Sequence, residues 1–268
     1  MTDKKKVIVK EEPISASIGA LSVTILIPLA IQLAMIFVMF WAFQKASKED
    51  KNLSKKLNNV LKDGKNWTVV VIKEKSPNAF CMIKPVVFVT SGLLRYLNDD
   101  EVMAVLLHEA GHINNKDLVK TFIANHTLAA MVMSAAAVIG GPVAVYLVFQ
   151  LYYLLGIKIV TVIFNRVLGR FHEKRADSYA TKYGYADHMI TALEKIEKYV
   201  QKEMNKQGCG IMCRAERKIS EAIDEHPPVK ERIENILKSK ETWLKTKGQS
   251  MVNMRNFFMS KLGVEKGK

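Results

Sequence analysis

The chain has 268 residues, 49% of them hydrophobic, and a net charge of +14. That length suits one ordinary domain, or a smaller domain plus membrane segments, and the apolar content excludes disorder while the lack of a period excludes repeats. Three cysteines, Cys81, Cys209 and Cys213, are an odd count and too few for a disulfide framework, so they read as reduced thiols in a cytosolic compartment. The charge is segregated: residues 13–44 and 121–157 contain no Asp, Glu, Lys or Arg. The lysines therefore read as flanks of membrane segments, and no aromatic-interleaved basic motif points to nucleic acid.

Residues 1–17 are a short, polar tail. Ile18–Phe43 is long and apolar enough to span a bilayer as a helix. Pro28 is tolerated there, Trp41 sits where interfacial aromatics gather, and the stretch is too long for a signal-peptide core. It reads as a membrane anchor. Seven lysines between 45 and 65 follow. Leu53, Leu57, Val60 and Leu61 predict an amphipathic helix that closes at Asp63-Gly64. Strand signals come at Trp67–Lys73, Asn78–Ile83 and Val86–Thr90. Pro77 and Pro85 bracket the middle one and mark it as an edge strand. Asn98 with Asp99, Asp100 and Glu101 opens a helix over about 99–115.

Residues 121–164 are apolar except for His126 and Lys158, too long for one ordinary span. Gly140-Gly141-Pro142 divides them into two helices of roughly 20 residues. Beyond them the chain is polar and helical, with helices expected at Asp187–Lys206, Arg214–Asp224 and from Val229 to Lys240. The final 25 residues mix Lys with Met and Phe, as an interfacial helix or a docked tail would. Lysines and arginines flank the spans at 45–65 and 166–175, which places the amino terminus outside and residues 44–120 and 165–268 in the cytosol.

His108-Glu109-Ala110-Gly111-His112 is the strongest signal. Histidines four apart share one helix face and can meet one tetrahedral Zn²⁺. Glu109 lies beside them, placed to take a proton from the attacking water. A third protein ligand is needed. Asn115 and Leu118 stand where the metzincin pattern requires Gly and His, so that class is excluded. Glu173, with Asp177 one turn on, reads alone as a solvated helix face. Beside the His pair, Glu173 reads as the third ligand and Asp177 as the carboxylate that holds a ligating imidazole. His172 and His188 read as solvated.

These motifs, with Ser76-Pro77-Asn78-Ala79-Phe80, the run from Glu101 to His112, Glu173 to Asp177, and His226-Pro227-Pro228 followed by Arg232-Ile233, resemble the HtpX family of membrane zinc metallopeptidases, akin to the CAAX prenyl proteases. The similarity runs in order over about residues 65–236. It implies zinc, one ion per chain, on His108, His112 and Glu173, with Glu109 as general base. It implies that Asn78 lies on the edge strand that holds an extended substrate, and that His226 and Arg232 face the cleft, His226 as an oxyanion donor. Many relatives carry two helices before the catalytic part; here one ordinary span fits.

The expected fold is α+β and mostly helical: a gluzincin-type peptidase domain with a small edge-stranded sheet and about three membrane helices. The expected organisation is a tail (1–17), an anchor (18–43), a first catalytic part (44–120), an apolar hairpin (121–164) and a second catalytic part (165–268). The resemblance implies a multi-pass protein of the cell membrane that cleaves misfolded or damaged membrane proteins in the bilayer from the cytosolic side. A prenyl-protein protease is the nearest alternative, and a signal-transducing membrane protease a more distant one. No nucleic-acid partner is expected.

Overall fold

The computed structural model describes residues 30, 33–34, 37–38, 41, 48–82, 84–154, 158–206 and 227–261. The chain divides into two units, Met1–Trp41 with Thr121–Val162, and Ala42–Lys120 with Ile163–Lys268. Most of the expected anchor, the expected helix at 214–224, Cys209, Cys213 and His226 lie outside the described residues.

The second unit is built on a mixed four-stranded sheet of order β1-β2-β4-β3. Its strands are β1 (Lys48–Glu49), β2 (Thr68–Ile72), β3 (Ala79–Cys81) and β4 (Val86–Thr90). β2 and β4 run parallel, with Thr68 opposite Val86 and Ile72 opposite Thr90. β3 pairs antiparallel to β4, Phe80 opposite Phe88, and forms the edge. All five residues of β4 are buried, as a β-branched run in a central strand should be. The predicted edge strand is thus found at the edge, shortened to three residues.

Helix α1 (Lys51–Leu61) begins on Asp50, whose carboxylate accepts the Asn52 and Leu53 N–H groups at 3.0 Å. Its Leu57 and Leu61 are buried in the core with Trp67, Val69, Val87 and Val89. Each buried leucine contributes about 1.5–3 kcal/mol. The short α2 (Ser91–Tyr96), which the sequence did not predict, is capped by the Thr90 hydroxyl.

Helix α3 (Asp99–Asn115) carries the histidine pair. Asn98 and Glu101 form a reciprocal capping box, both bonds at 2.9 Å. The helix ends because Lys116 turns left-handed (φ 57). The next helix, α4 (Asp117–Leu154), starts at once, followed by α5 (Lys158–Lys182), α6 (Ala186–Lys206) and α7 (Val229–Lys261). α3 packs on β3 and on α6, and α6 packs on α7. α7 continues well past the expected Val229–Lys240, supported by exposed pairs such as Lys245–Glu241 at 2.7 Å.

Gly111 sets the crossing of α3 and α5. A Cβ there would stand 2.9 Å from the Tyr179 Cβ and 3.1 Å from the Ala176 Cα. Only glycine lets these helices approach so closely.

In the first unit, α4 loses helical geometry at Gly141 (φ 63, ψ −157), inside the predicted Gly-Gly-Pro break. Among the described residues one helix is long and apolar enough to cross a membrane, Asp117–Gly141, 25 residues. At about 1.5 Å per residue it exceeds the roughly 30 Å hydrocarbon thickness. Its Ile123, Met131, Val138 and Ile139 are exposed.

Candidate functional site

Residues of the second unit, from four helices, deliver the site. α3 supplies His108, Glu109 and His112, the start of α4 supplies Asp117, α5 supplies Glu173, Arg175 and Asp177, and α7 supplies Arg232. The Nε2 atoms of His108 and His112 lie 3.2 Å apart. Glu173 Oε2 lies 3.5 Å from the His108 Nε2 and Oε1 3.5 Å from the His112 Nε2. The three side chains can offer ligand atoms within 4.8 Å of one another. His108 and Glu173 are buried; His112 is half-buried.

Both imidazoles are held from behind. His108 Nδ1 is 2.9 Å from Asp177 Oδ1, and His112 Nδ1 is 2.9 Å from Asp117 Oδ2. A carboxylate at Nδ1 fixes the proton there and leaves the Nε2 lone pair facing inward. Two such lone pairs and a carboxylate converging in a buried spot suit a divalent cation and little else. Tetrahedral Zn–N bonds of about 2.0–2.1 Å would set the nitrogens about 3.3 Å apart, close to the separation found. The donor set therefore fits zinc.

The carboxylates around the pair also favour positive charge between them. Burial opposes a charge on His112, but Asp117 and Glu173, aided by Glu109, outweigh it and push the imidazole up to about 10. Burial likewise opposes ionisation of Asp177, yet His108 and Arg232 hold its carboxyl below the usual range. Arg232 donates from Nε to Asp177 Oδ2 at 3.0 Å and from Nη2 to Oδ1 at 2.7 Å. The same Nη2 is 3.2 Å from Glu173 Oε2. Arg232 is 8% exposed. Its guanidinium is locked between two carboxylates behind the histidines.

Asp117 went unnoticed in the sequence. It is 4% exposed and binds Arg175 as well as His112. The signal available was a carboxylate five residues after His112, but the left-handed turn at Lys116 is what brings it back. His172 is a correction: it is buried, 7% exposed, with Nε2 3.8 Å from Asp117 Oδ1. Packing covers His172, Glu173, Ala176, Asp177 and Ala180 of α5, so the supposed solvated face is an inner one. Burial pushes the His172 imidazole down. His188 is half-buried beside Tyr185.

Glu109 is half-buried. On β3, burial, then the Glu109 charge, push the Cys81 thiol up. Asn78, just before β3, has its backbone pinned to Thr90: its N–H donates to Thr90 Oγ1 at 2.9 Å and its carbonyl accepts the Thr90 N–H at 3.0 Å. Its side chain is exposed.

The sequence pattern of Peptidase family M48 matches residues 47–240. Protease HtpX of Aeromonas hydrophila subsp. hydrophila is 29% identical over 168 residues, 55% of this chain and 57% of that protein. Protease HtpX of Idiomarina loihiensis is 30% identical over 183 residues, 62% of this chain and 63% of that protein. The chain thus spans less than two thirds of the length of these relatives. The crystal structure of S. mikatae Ste24p shares the fold, with a TM-score of 0.60 at 18% identity over 81% of this chain and 58% of that one. The family match runs through every site residue from Asn78 to Arg232, and the chain belongs to Peptidase family M48.

Proposed function

We propose that this chain is a membrane-anchored zinc endopeptidase. The observation that carries the reading is the convergence of His108 Nε2, His112 Nε2 and the Glu173 carboxylate, with Glu109 on the same helix. Membership of a peptidase family and the likeness to proteins named Protease HtpX support it. When bound, zinc supplies a Lewis acid for the scissile carbonyl and lowers the pKa of the attacking water. Glu109 takes the proton of that water on its carboxylate and returns it to the leaving amine. Asp177 and Asp117 keep both imidazoles oriented. Arg232 neutralises Glu173 and Asp177 and holds them in place.

The substrate lies extended along β3. An edge strand offers backbone hydrogen bonds without demanding particular side chains, and Asn78 marks the entrance to that edge. In this reading His226 donates to the oxyanion, whereas Arg232, clasped by Asp177 and Glu173, acts from behind the histidines. The exposed apolar helix Asp117–Gly141 and the uncharged stretch at 18–43 support a multi-pass place in the cell membrane. The lysines at 45–65 support a cytosolic peptidase unit. Misfolded or damaged membrane proteins are then the natural substrates, and protein quality control the role.

The test is cleavage of an unfolded, fluorescently labelled reporter protein by the zinc-loaded full chain in detergent. Glu109→Gln is expected to lower the rate about 10²–10⁴-fold while the zinc content stays unchanged. Equal rates for both would overturn the assignment of the base.

A further inference from the structure

On the outer faces of α5 and α7 lies a cleft of about 390 Å³, unrelated to the histidine cluster. That volume falls in the range of small-molecule clefts, about 300–1,000 Å³. Lys174 and Lys182 reach it from α5 and Lys238 from α7. All three residues are exposed, and among the described residues no Asp or Glu lines the cleft. Nor do these lysines form an ion pair with any described residue, whereas the neighbouring Lys240 is tied to Asp187 and Lys245 to Glu241, both at 2.7 Å. Positive charge is therefore gathered here without a directly paired carboxylate among the described residues.

The neutral groups in the wall sharpen the chemistry. Ser178 donates to the Lys174 carbonyl at 2.7 Å and pairs with Ser239 at 2.9 Å. These hydroxyls satisfy each other and the helix. Recognition falls to the three ammonium groups, with the Asn235 amide also in the wall. A carboxylate brings one charge. A phosphate brings up to two charges and three strong acceptor oxygens, which matches several ammonium groups better.

We propose that the cleft between α5 and α7 binds a phosphate group, carried either by a lipid headgroup or by a free small molecule. This goes beyond the peptidase reading and does not depend on it. The placement also has a consequence for the site. Lys174 follows Glu173 in α5, and Asn235 lies three residues after Arg232 in α7. A phosphate held by both helices would brace the two elements that bring Glu173, Asp177 and Arg232 together.

The experiment follows the melting temperature of the zinc-loaded full chain in phosphate-free dodecyl maltoside. It is titrated separately with inorganic phosphate and with dihexanoyl phosphatidic acid, with dihexanoyl phosphatidylcholine as the uncharged comparison. Wild type is expected to show a saturable rise, since a ligand that binds only the folded state stabilises it. In the double variant Lys182→Gln, Lys238→Gln the apparent affinity should fall at least about tenfold, because two charge-assisted hydrogen bonds are lost. The charge-preserving double variant Lys182→Arg, Lys238→Arg should respond like wild type. A rise with both ligands identifies free phosphate as sufficient; a rise with the lipid alone identifies a headgroup. No saturable rise in wild type, an unchanged affinity in the Gln variant, or equal loss in both variants overturns the proposal.

Discussion

Each histidine of the pair has two jobs, one per ring nitrogen. Nδ1 rests on a carboxylate, Asp177 for His108 and Asp117 for His112, and Nε2 turns to the shared centre. The two halves of this arrangement were unequally legible. His108, His112, Glu173 and Asp177 could be read from helical spacing, because each pair sits on one helix. Asp117 could not, because its position depends on the tight turn at Lys116 between two helices. Arg232 could be singled out but not its setting, since only the packing of α7 shows it clasping Asp177 and Glu173. Asp117→Asn is expected to weaken zinc binding about 10–100-fold by loosening His112. Competition with a chromogenic chelator measures this; an unchanged affinity would show that Asp117 serves Arg175 alone.

Local signals located most elements, and tertiary contacts adjusted their ends. β4 was legible as an apolar run and is buried along its whole length. The capping residues before α3 named its start correctly. The edge strand came out shorter than expected, and α2 was missed because six residues capped by a threonine carry too little periodicity to declare themselves. At the crossing of α3 and α5, Gly111→Val would force the helices apart at Tyr179 and Ala176. The expected cost is about 1–3 kcal/mol, with zinc affinity falling too, because α5 carries Glu173. Urea unfolding and zinc content read the two effects; a variant with wild-type values for both would contradict the close crossing.

The cap of α3 also predicts a pH response. Burial pushes the Glu101 carboxyl up, but Lys195, 2.7 Å away, and the Asn98 N–H outweigh it and hold it below its ordinary 4.5. The folded state therefore binds fewer protons than the unfolded one. This stabilisation is complete above about pH 4.5 and is lost as pH falls through the lower folded value. Glu101→Gln is expected to cost about 0.5–1 kcal/mol at pH 7 and to flatten the acid-side decline. Superimposable stability curves from pH 7 to pH 3 would contradict it.

At the scale of the whole molecule, the sequence holds two uncharged stretches, 13–44 and 121–157. The chain divides into two units, with residues Thr121–Val162 in one and the histidine cluster in the other. The break at Gly140-Gly141-Pro142 was legible because Gly141 adopts a conformation that suits glycine. The number of spans was less so: hydropathy alone marks apolar length, and among the described residues only Asp117–Gly141 meets the requirement. The burial of His172 was illegible for a related reason, since a polar sequence hides which side of α5 faces inward.

The proposed peptidase chemistry requires that His108, His112 and Glu173 together hold a zinc ion. Metal analysis of the full chain, purified in detergent, loaded with zinc and freed of excess, tests it most directly. Wild type is expected to retain about one zinc per chain, and the double variant His108→Ala, His112→Ala essentially none. A wild-type chain that keeps no zinc, or a double variant that keeps as much as wild type, would contradict the account.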